Sequence, residues 1–127
     1  MLLTTYSMLV IVAGMLWQVE FHDELLVEVE TLPREVQKAL AAHIRLLTEF
    51  GPGLGRPSVD TLKGSRIANL KELRFSVEGG VWRVAFAFDR RRVAILLVMG
   101  DKRGVVESRF YKTLVAKAET RWKTRGG

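Results

Sequence analysis

Residues 69–111 read NLKELRFSVEGGVWRVAFAFDRRRVAILLVMGDKRGVVESRFY, and this stretch decides the fold. Apolar and polar residues alternate on both sides of a Gly-Gly pair, which predicts two strands, Ile67–Phe75 and Val81–Asp89, joined by a short turn. A third run, Val93–Met99, is apolar throughout, which is typical of a strand buried on both faces. The sequence therefore predicts a three-strand antiparallel meander.

Two arginines lie on neighbouring strands of this meander. The apolar side chains from Trp82 to Phe88 alternate with Arg83, so Arg83 and likewise Arg74 are expected to point away from the core. Antiparallel pairing across the short turn places Arg74 beside Arg83 on the solvent face, where like charges repel. The pair therefore predicts an anion-binding site. Because Arg83 is expected to be exposed, an alanine there is expected to change stability by no more than roughly 0.5 kcal/mol.

The chain before the meander predicts a strand and two helices. Alternation of Trp17, Val19 and Phe21 indicates a half-buried strand. A short helix follows, which Asp23 can cap. A longer helix runs from Pro33 to about Phe50, and its apolar stripe is expected to face the sheet.

After these helices, residues 51–65 are rich in Gly and Pro and are interpreted as a connection. The last helix is predicted from about Val106 to Thr124, with an apolar seam and a basic face. The basic face comprises Arg109, Lys112, Lys117, Arg121 and Lys123. The pattern predicts an α+β fold, in which a mainly antiparallel four-stranded sheet packs with an N-terminal helical hairpin and a C-terminal helix.

Composition limits the chain to one domain and few kinds of chemistry. The 127 residues include no cysteine, which excludes disulfides and thiolate catalysis and suits a reducing cytoplasm. The two histidines, His22 and His43, have no third ligand at metal-site spacing, so no metal or other cofactor is predicted. The net charge of +6 is uneven: residues 1–60 carry −4 and residues 61–127 carry +10. The basic half indicates a polyanionic partner.

The first residues fit no targeting segment. The apolar run Met8–Trp17 is shorter than the about 20 residues that a membrane-spanning helix needs, so no membrane partner is predicted. A secretory signal would need a basic start, but the first basic residue is Arg34. We hypothesise that residues 1–14 are an apolar extension from an upstream start codon, and that a single domain spans residues 15–127.

Four short patterns in the quoted stretch carry a family resemblance. They are Leu-Arg on one strand, Gly-X-X-Arg-Val on the next, Gly-X-Lys-Arg after the third, and Phe-Tyr leading the last helix. Together they resemble the RelE/HigB superfamily of bacterial type II toxins, within it the phage-derived HigB-like subgroup, over about Leu16–Trp122. The resemblance implies a RelE-like fold and a cytoplasmic, ribosome-dependent endoribonuclease that stops translation by cleaving mRNA without a metal. It implies three partners: the ribosome, mRNA and a cognate antitoxin, a small helix-turn-helix protein.

The resemblance also places Arg74, Arg83, Arg103 and Tyr111 around the scissile phosphate. Attack by the ribose 2′-hydroxyl needs charge stabilisation, which arginine provides, and proton transfer at two oxygens. Tyr111 could accept the first proton if the surrounding cations lower its pKa. Lys102 could give a proton to the leaving oxygen.

This chain departs from the family pattern two residues before Arg74, where Glu72 replaces a lysine. Glu72 shares a strand face with Arg74, so it could act as the general base or hold Arg74 in a salt bridge. The base therefore stays open among Tyr111, Glu72 and a purely positional mechanism. Lys71 alternates to the opposite face and cannot replace the lost lysine. The RNA-binding candidates are Lys71, Arg90, Arg91, Lys102, Arg109 and Lys112.

Two other functional classes remain open: a ParE-like inhibitor of DNA gyrase, and a non-catalytic module that binds nucleic acid. The acidic residues that begin the helical hairpin are interpreted as a solvated face; they are Glu20, Asp23, Glu24, Glu28 and Glu30. The resemblance implies that an antitoxin docks away from the active centre, and the acidic hairpin, residues 20–50, offers it a separate surface. Charge reversal at Glu28, Glu30 or Glu35 is expected to weaken antitoxin binding more than Arg83→Ala does.

Overall fold

The computed structural model describes residues 17–125, so the extension predicted at residues 1–14 lies outside the described chain. It contains five strands and three α-helices. They are β1 (Val19–Phe21), α1 (Asp23–Glu30), α2 (Arg34–Phe50), β2 (Val59–Thr61), β3 (Lys71–Val77), β4 (Gly80–Phe88), β5 (Ala94–Asp101) and α3 (Glu107–Thr124), with one turn of 3-10 helix (Gly51–Gly53) after α2. The predicted α+β class is confirmed.

The sheet has five strands in the order β1-β5-β4-β3-β2, one more than predicted. Only β1 runs parallel to its neighbour β5, and the other pairs are antiparallel. The additional strand, β2, lies in the stretch 51–65 that was interpreted as a connection. Its three residues are too short for alternation to show, and Val59 is its only buried side chain. This segment is a strand because it pairs with the edge of β3, where Val59 to Thr61 lie opposite Leu73 to Lys71.

Helices cover both faces of the sheet. The hairpin of α1 and α2 buries its apolar stripe on one face, and α3 packs on the other. The first core comprises, among others, Leu25, Val29, Leu40, Ile44, Leu47, Leu73, Val84 and Phe86. The second comprises, among others, Ala85, Ala87, Ile95, Leu97, Leu114 and Ala118. The central strands are therefore buried on two sides, as predicted for β5 but not for β4.

Helix α1 is capped by His22, so the predicted capping role of Asp23 was wrong. The His22 Nδ1 accepts a hydrogen bond from the Glu24 N–H at 3.1 Å. The other ring nitrogen lies 3.0 Å from the hydroxyl of Thr124, at the end of α3. This second contact is between residues far apart in the chain, which sequence reasoning could not foresee. His22 thus joins the start of α1 to the end of α3.

The second link between these helices is a buried arginine. Arg121 was predicted on the basic outer face of α3, but only 4% of it is exposed. Its guanidinium donates to both carboxylate oxygens of Glu28 and, at 2.8 Å, to the carbonyl of Leu97. Glu28 is exposed, as predicted, but the sequence did not predict that its carboxylate pairs with Arg121. Arg121 stands seven residues after Leu114 and three after Ala118, which is the spacing of the buried seam.

This ion pair predicts acid-sensitive stability. The hydrogen bond from Arg121 lowers the pKa of Glu28, against a smaller opposing effect of burial. The pair is therefore fully formed above the ordinary pKa of 4.5 and is lost as pH falls through the lowered value. We expect Glu28→Gln to lower the free energy of unfolding by about 1–2 kcal/mol at pH 7. This is less than the loss expected for a fully buried pair, because the Glu28 side chain is 46% exposed.

The measurement is urea unfolding of Glu28→Gln and of the parent protein at pH 7 and near pH 3. The difference between the two proteins should be clear at pH 7 and should shrink at acid pH, as pH falls below the ordinary pKa of 4.5 and Glu28 gains a proton in the folded parent. The surface variant Glu30→Gln is the matched control, since Glu30 is exposed. An equal difference at both pH values would contradict the role of the charge.

Candidate active site

The two arginines of the meander lie opposite each other, as predicted. Arg74 on β3 and Arg83 on β4 are Cα partners in the antiparallel register. Their exposure differs, because α3 covers this face of the sheet. Arg83 is buried, with 6% exposed, and the expectation that both arginines point into solvent was wrong for it. Arg74 lies nearer the edge, and its side chain is 33% exposed.

A buried carboxylate forms the centre of this face. Glu72 is only 5% exposed, and its Oε1 accepts a hydrogen bond of 2.7 Å from the hydroxyl of Tyr111. That hydroxyl accepts in turn from the Arg83 Nε at 3.2 Å. The Arg83 Nε is also 3.5 Å from the same Glu72 oxygen. Side chains from β4, α3 and β3 are thus joined by consecutive hydrogen bonds, from the guanidinium to the phenol and from the phenol to the carboxylate.

Arg74 bridges this centre and the edge of the sheet. Its guanidinium lies 3.9 Å from a Glu72 oxygen and 3.9 Å from a carboxylate oxygen of Asp60 on β2. Both distances are longer than a hydrogen bond, so the guanidinium keeps donors free for another anion. Sequence reasoning missed Asp60 because it missed β2, whose register places Asp60 opposite Glu72.

The condition under which Tyr111 could act as the base, a pKa lowered by nearby cations, is not met. Burial raises the pKa of Tyr111, and the hydrogen bond to the Glu72 carboxylate raises it further, while Arg83 opposes both. A phenolate here would lose its bond to Glu72 and face that negative charge. Tyr111 is therefore held in its neutral form, as a hydroxyl that can donate to Glu72 and accept from Arg83.

Lys102 is also near this centre, but Arg103 is not. The Lys102 ammonium lies 5.7 Å from the centroid of the Tyr111 ring and 2.7 Å from a Glu107 carboxylate oxygen. Arg103 is exposed and pairs with Asp101 at 3.5 Å, over the turn between β3 and β4. The structure gives Arg103 no contact with the Glu72 centre within residues 17–125.

The remaining RNA-binding candidates are spread over the molecule. Lys112 and Tyr111 line the same cleft beside α3, whereas Arg109 lines a different one. Lys71 is in register with Phe86, on the face opposite Glu72, as the alternation predicted. Of these three candidates, Lys112 lines a cleft that a residue of the Glu72 centre, Tyr111, also lines.

The other two candidates, Arg90 and Arg91, lie in the turn between β4 and β5, at the far end of β4 from Arg83. Arg91 pairs with Asp89 at 3.0 Å and with Glu20 at 3.5 Å, so part of its charge is neutralised within the chain. These two arginines form a basic surface separate from the Glu72 centre.

In the described part of the chain, no cluster of three or more His, Cys, Asp or Glu side chains could hold a metal ion. No helix between residues 17 and 125 has the length and apolar character needed to cross a membrane.

Residues 27–123 match the family described as phage derived protein Gp49-like (DUF891). The candidate toxin HigB2 of Mycobacterium tuberculosis is 49% identical over 74 residues, which make up 58% of this chain and 37% of HigB2. The candidate toxin HigB3 of the same organism is 47% identical over 73 residues, or 58% of this chain and 62% of HigB3. Each match spans less than two thirds of the relative's length.

Two solved structures have a similar fold. The toxin RelE of E. coli, a double arginine mutant in the free state, has a TM-score of 0.55 at 14% identity, covering 81% of this chain and 97% of RelE. A chain of the RelE–RelB complex of Pyrococcus horikoshii OT3 also has a TM-score of 0.55, at 20% identity, and the match covers 72% of this chain and all of that chain. Identities this low show the fold alone. With the family match, they confirm the RelE/HigB resemblance and the RelE-like fold.

Proposed function

Because this chain belongs to the phage-derived Gp49-like family and has the RelE-like fold, we propose that it is the toxin of a type II toxin–antitoxin system, a cytoplasmic endoribonuclease that cleaves mRNA on the ribosome. The observation that carries this proposal is the hydrogen-bonded series Arg83–Tyr111–Glu72, with Arg74, whose side chain is one third exposed, at its edge. A general base beside a cation that can bind an anion is what 2′-hydroxyl attack on a phosphate needs.

Glu72 is the proposed base, with Tyr111 as the group that transfers the proton. The 2′-oxygen bonds to phosphorus as its proton passes to the Tyr111 hydroxyl, and Tyr111 gives its own proton to Glu72 across their 2.7 Å hydrogen bond. Such a relay forms no free phenolate, which agrees with the raised pKa of Tyr111. A phenolate base is disfavoured for the same reason. Arg83 orients the phenol and holds the carboxylate.

Arg74 is the proposed ligand of the phosphate. Its fork can turn from its loose partners, Asp60 and Glu72, toward the two phosphate oxygens that gain charge as attack proceeds. The bond from phosphorus to the 5′-oxygen breaks, and Lys102, whose side chain is 21% exposed, supplies the proton to that oxygen. The products are a 2′,3′-cyclic phosphate and a 5′-hydroxyl, and no metal takes part.

Expression in bacteria tests this proposal. Induced without a partner, the protein should stop growth and translation, and mRNA should be cut inside translated regions. Arg34→Ala, which removes an exposed cation from the start of α2, is a control that should remain toxic. Intact mRNA together with relaxed or broken DNA would instead support a gyrase inhibitor. Growth arrest with both nucleic acids intact would support a non-catalytic nucleic-acid-binding module.

The proposed partner is an antitoxin, a small helix-turn-helix protein, that docks on the acidic hairpin of α1 and α2. Glu30 and Glu35 are exposed there, and so is Val27, whose exposed fraction is 63%. Glu28, which was expected to contribute, pairs with Arg121 inside the chain. The test of docking therefore needs Glu30 and Glu35.

We expect the double charge reversal Glu30→Lys and Glu35→Lys to weaken antitoxin binding more than Arg74→Ala does. Opposite charges on the two surfaces speed and orient association, and salt screens them. Calorimetry at two salt concentrations measures the effect, which should shrink at the higher one. Normal binding by the hairpin variant together with loss of binding by Arg74→Ala would move the antitoxin to the catalytic face.

A further inference from the structure

Two open clefts follow one another along the same side of α3. The first, about 350 Å³, includes Tyr111, Lys112 and Glu119 of the helix, and the second, about 760 Å³, includes Trp122 and Arg125. Together with Val115, which also lines the first cleft, Tyr111, Glu119 and Trp122 recur at intervals of three or four residues and form one stripe of the helix, and Arg125 directly follows the helix end. Tyr111 and Trp122 are eleven residues apart, which in a helix is roughly 17 Å.

The same loop, residues 62–70 between β2 and β3, forms the other wall of both clefts. Lys63 lies in the first cleft and Arg66 in the second. Glu119 holds this loop against the helix, because its carboxylate accepts from the Ser65 hydroxyl at 3.0 Å and from the Arg66 N–H at 2.7 Å. These two hydrogen bonds, from the Arg66 N–H and the Ser65 hydroxyl, lower the pKa of Glu119, so the acidic side chain that lines the first cleft is engaged in holding the loop.

The two clefts concentrate positive charge. Lys63 and Lys112 line the first, and Arg66, Arg90, Arg91 and Arg125 line the second. Asp89 and Glu20 pair with Arg91 and Arg125. The side chains of Lys63, Lys112 and Arg90 are exposed and make no hydrogen bond or ion pair with any residue that the structure describes. Cations gathered along a groove repel one another unless a polyanion lies between them.

We propose that these two clefts form a track for single-stranded RNA, which leaves the catalytic centre past Tyr111 and ends at Arg66 and Arg90. The proposal rests on the ribonuclease function, since Tyr111 lines the first cleft and also contacts Glu72. A positively charged groove with aromatic side chains is the usual way to bind a single strand without reading its sequence. Arg90 and Lys112 lie far apart, but both would contact the same RNA strand in this track.

Direct binding tests the track separately from cleavage. The probe is a fluorescent 12-nucleotide RNA, titrated with protein that carries Glu72→Gln so that the strand stays intact. Adding Arg66→Ala and Arg90→Ala should weaken binding roughly tenfold at low salt and lower the salt dependence by about one to two counterions. The matched control adds Arg34→Ala and Lys38→Ala, which remove the same charge from α2, on the other face, and should change affinity less than twofold.

An equal loss in both double variants would overturn the track, because net charge alone would then explain binding. Unchanged RNA affinity in both double variants would also overturn the track. If the Arg66 and Arg90 variant then failed to bind the antitoxin, the clefts would be a binding site for a protein. A DNA strand of the same sequence that binds more tightly than the RNA would overturn it as well. Cleavage in a translating extract is measured separately, so a failed track leaves the proposed ribonuclease standing, and a failed ribonuclease is recognised by the cleavage assay and not by RNA affinity.

Discussion

Replacing Glu72 by glutamine is expected to slow mRNA cleavage by about 10²–10⁴-fold, the usual contribution of a general base. Glutamine has the shape of glutamate and can still accept the hydrogen bond from Tyr111, but at neutral pH it cannot take up a proton. The relay from the 2′-hydroxyl through Tyr111 then has no final acceptor. The rate should be measured in a single turnover on programmed ribosomes, with the products examined for a 2′,3′-cyclic phosphate.

Asp60→Asn is the matched control for this experiment. It makes the same change from carboxylate to amide on the neighbouring strand, opposite Glu72 in register, and it also removes a partner of Arg74. Asp60 makes no contact with Tyr111 among the residues described, so this variant should lose less than about tenfold in rate, well below the loss of a general base. Full activity in Glu72→Gln would refute the base assignment and favour a mechanism by charge and position alone.

Arg83→Ala is expected to lower the free energy of unfolding by about 3–5 kcal/mol. Arg83 is 6% exposed, and removal of its guanidinium leaves the Glu72 carboxylate buried beside Tyr111 without its nearest cation. This replaces the expectation from sequence that alanine would be nearly neutral at an exposed position. Phe86→Ala should cost a similar amount, about 3–5 kcal/mol, because it opens a cavity in the other core.

Urea unfolding shows whether Arg83 is a buried counter-ion. The free energy of unfolding is measured for Arg83→Ala, Phe86→Ala and Arg74→Ala. Arg74→Ala serves as the control, because its side chain is one third exposed and its ion pairs are long, and it should cost less than about 1 kcal/mol. If Arg83→Ala unfolds like Arg74→Ala, Arg83 is not a buried counter-ion. If it unfolds like Phe86→Ala, lost toxicity in that variant reports lost structure, and Glu72→Gln is the cleaner probe of catalysis.

The sequence alone determined most of what depends on local pattern. Alternation before and after the Gly-Gly pair gave β3 and β4, and the short turn fixed the pairing of Arg74 with Arg83. Helical periodicity gave the buried stripe of α2 and most of the seam of α3. The spaced family residues then identified the fold. All of these signals come from neighbours in the chain or from strands joined by a short turn.

Only the tertiary structure decided which charged side chains are buried. A strand alternates between two faces, but the pattern does not say whether a helix covers the second face, so Arg83 was placed in solvent when it lies beneath α3. For the same reason the sequence could not pair Arg121 with Glu28 or give the sign of the pKa shift of Tyr111. Desolvation and hydrogen bonding depend on partners from distant segments, and those partners meet only when the chain folds.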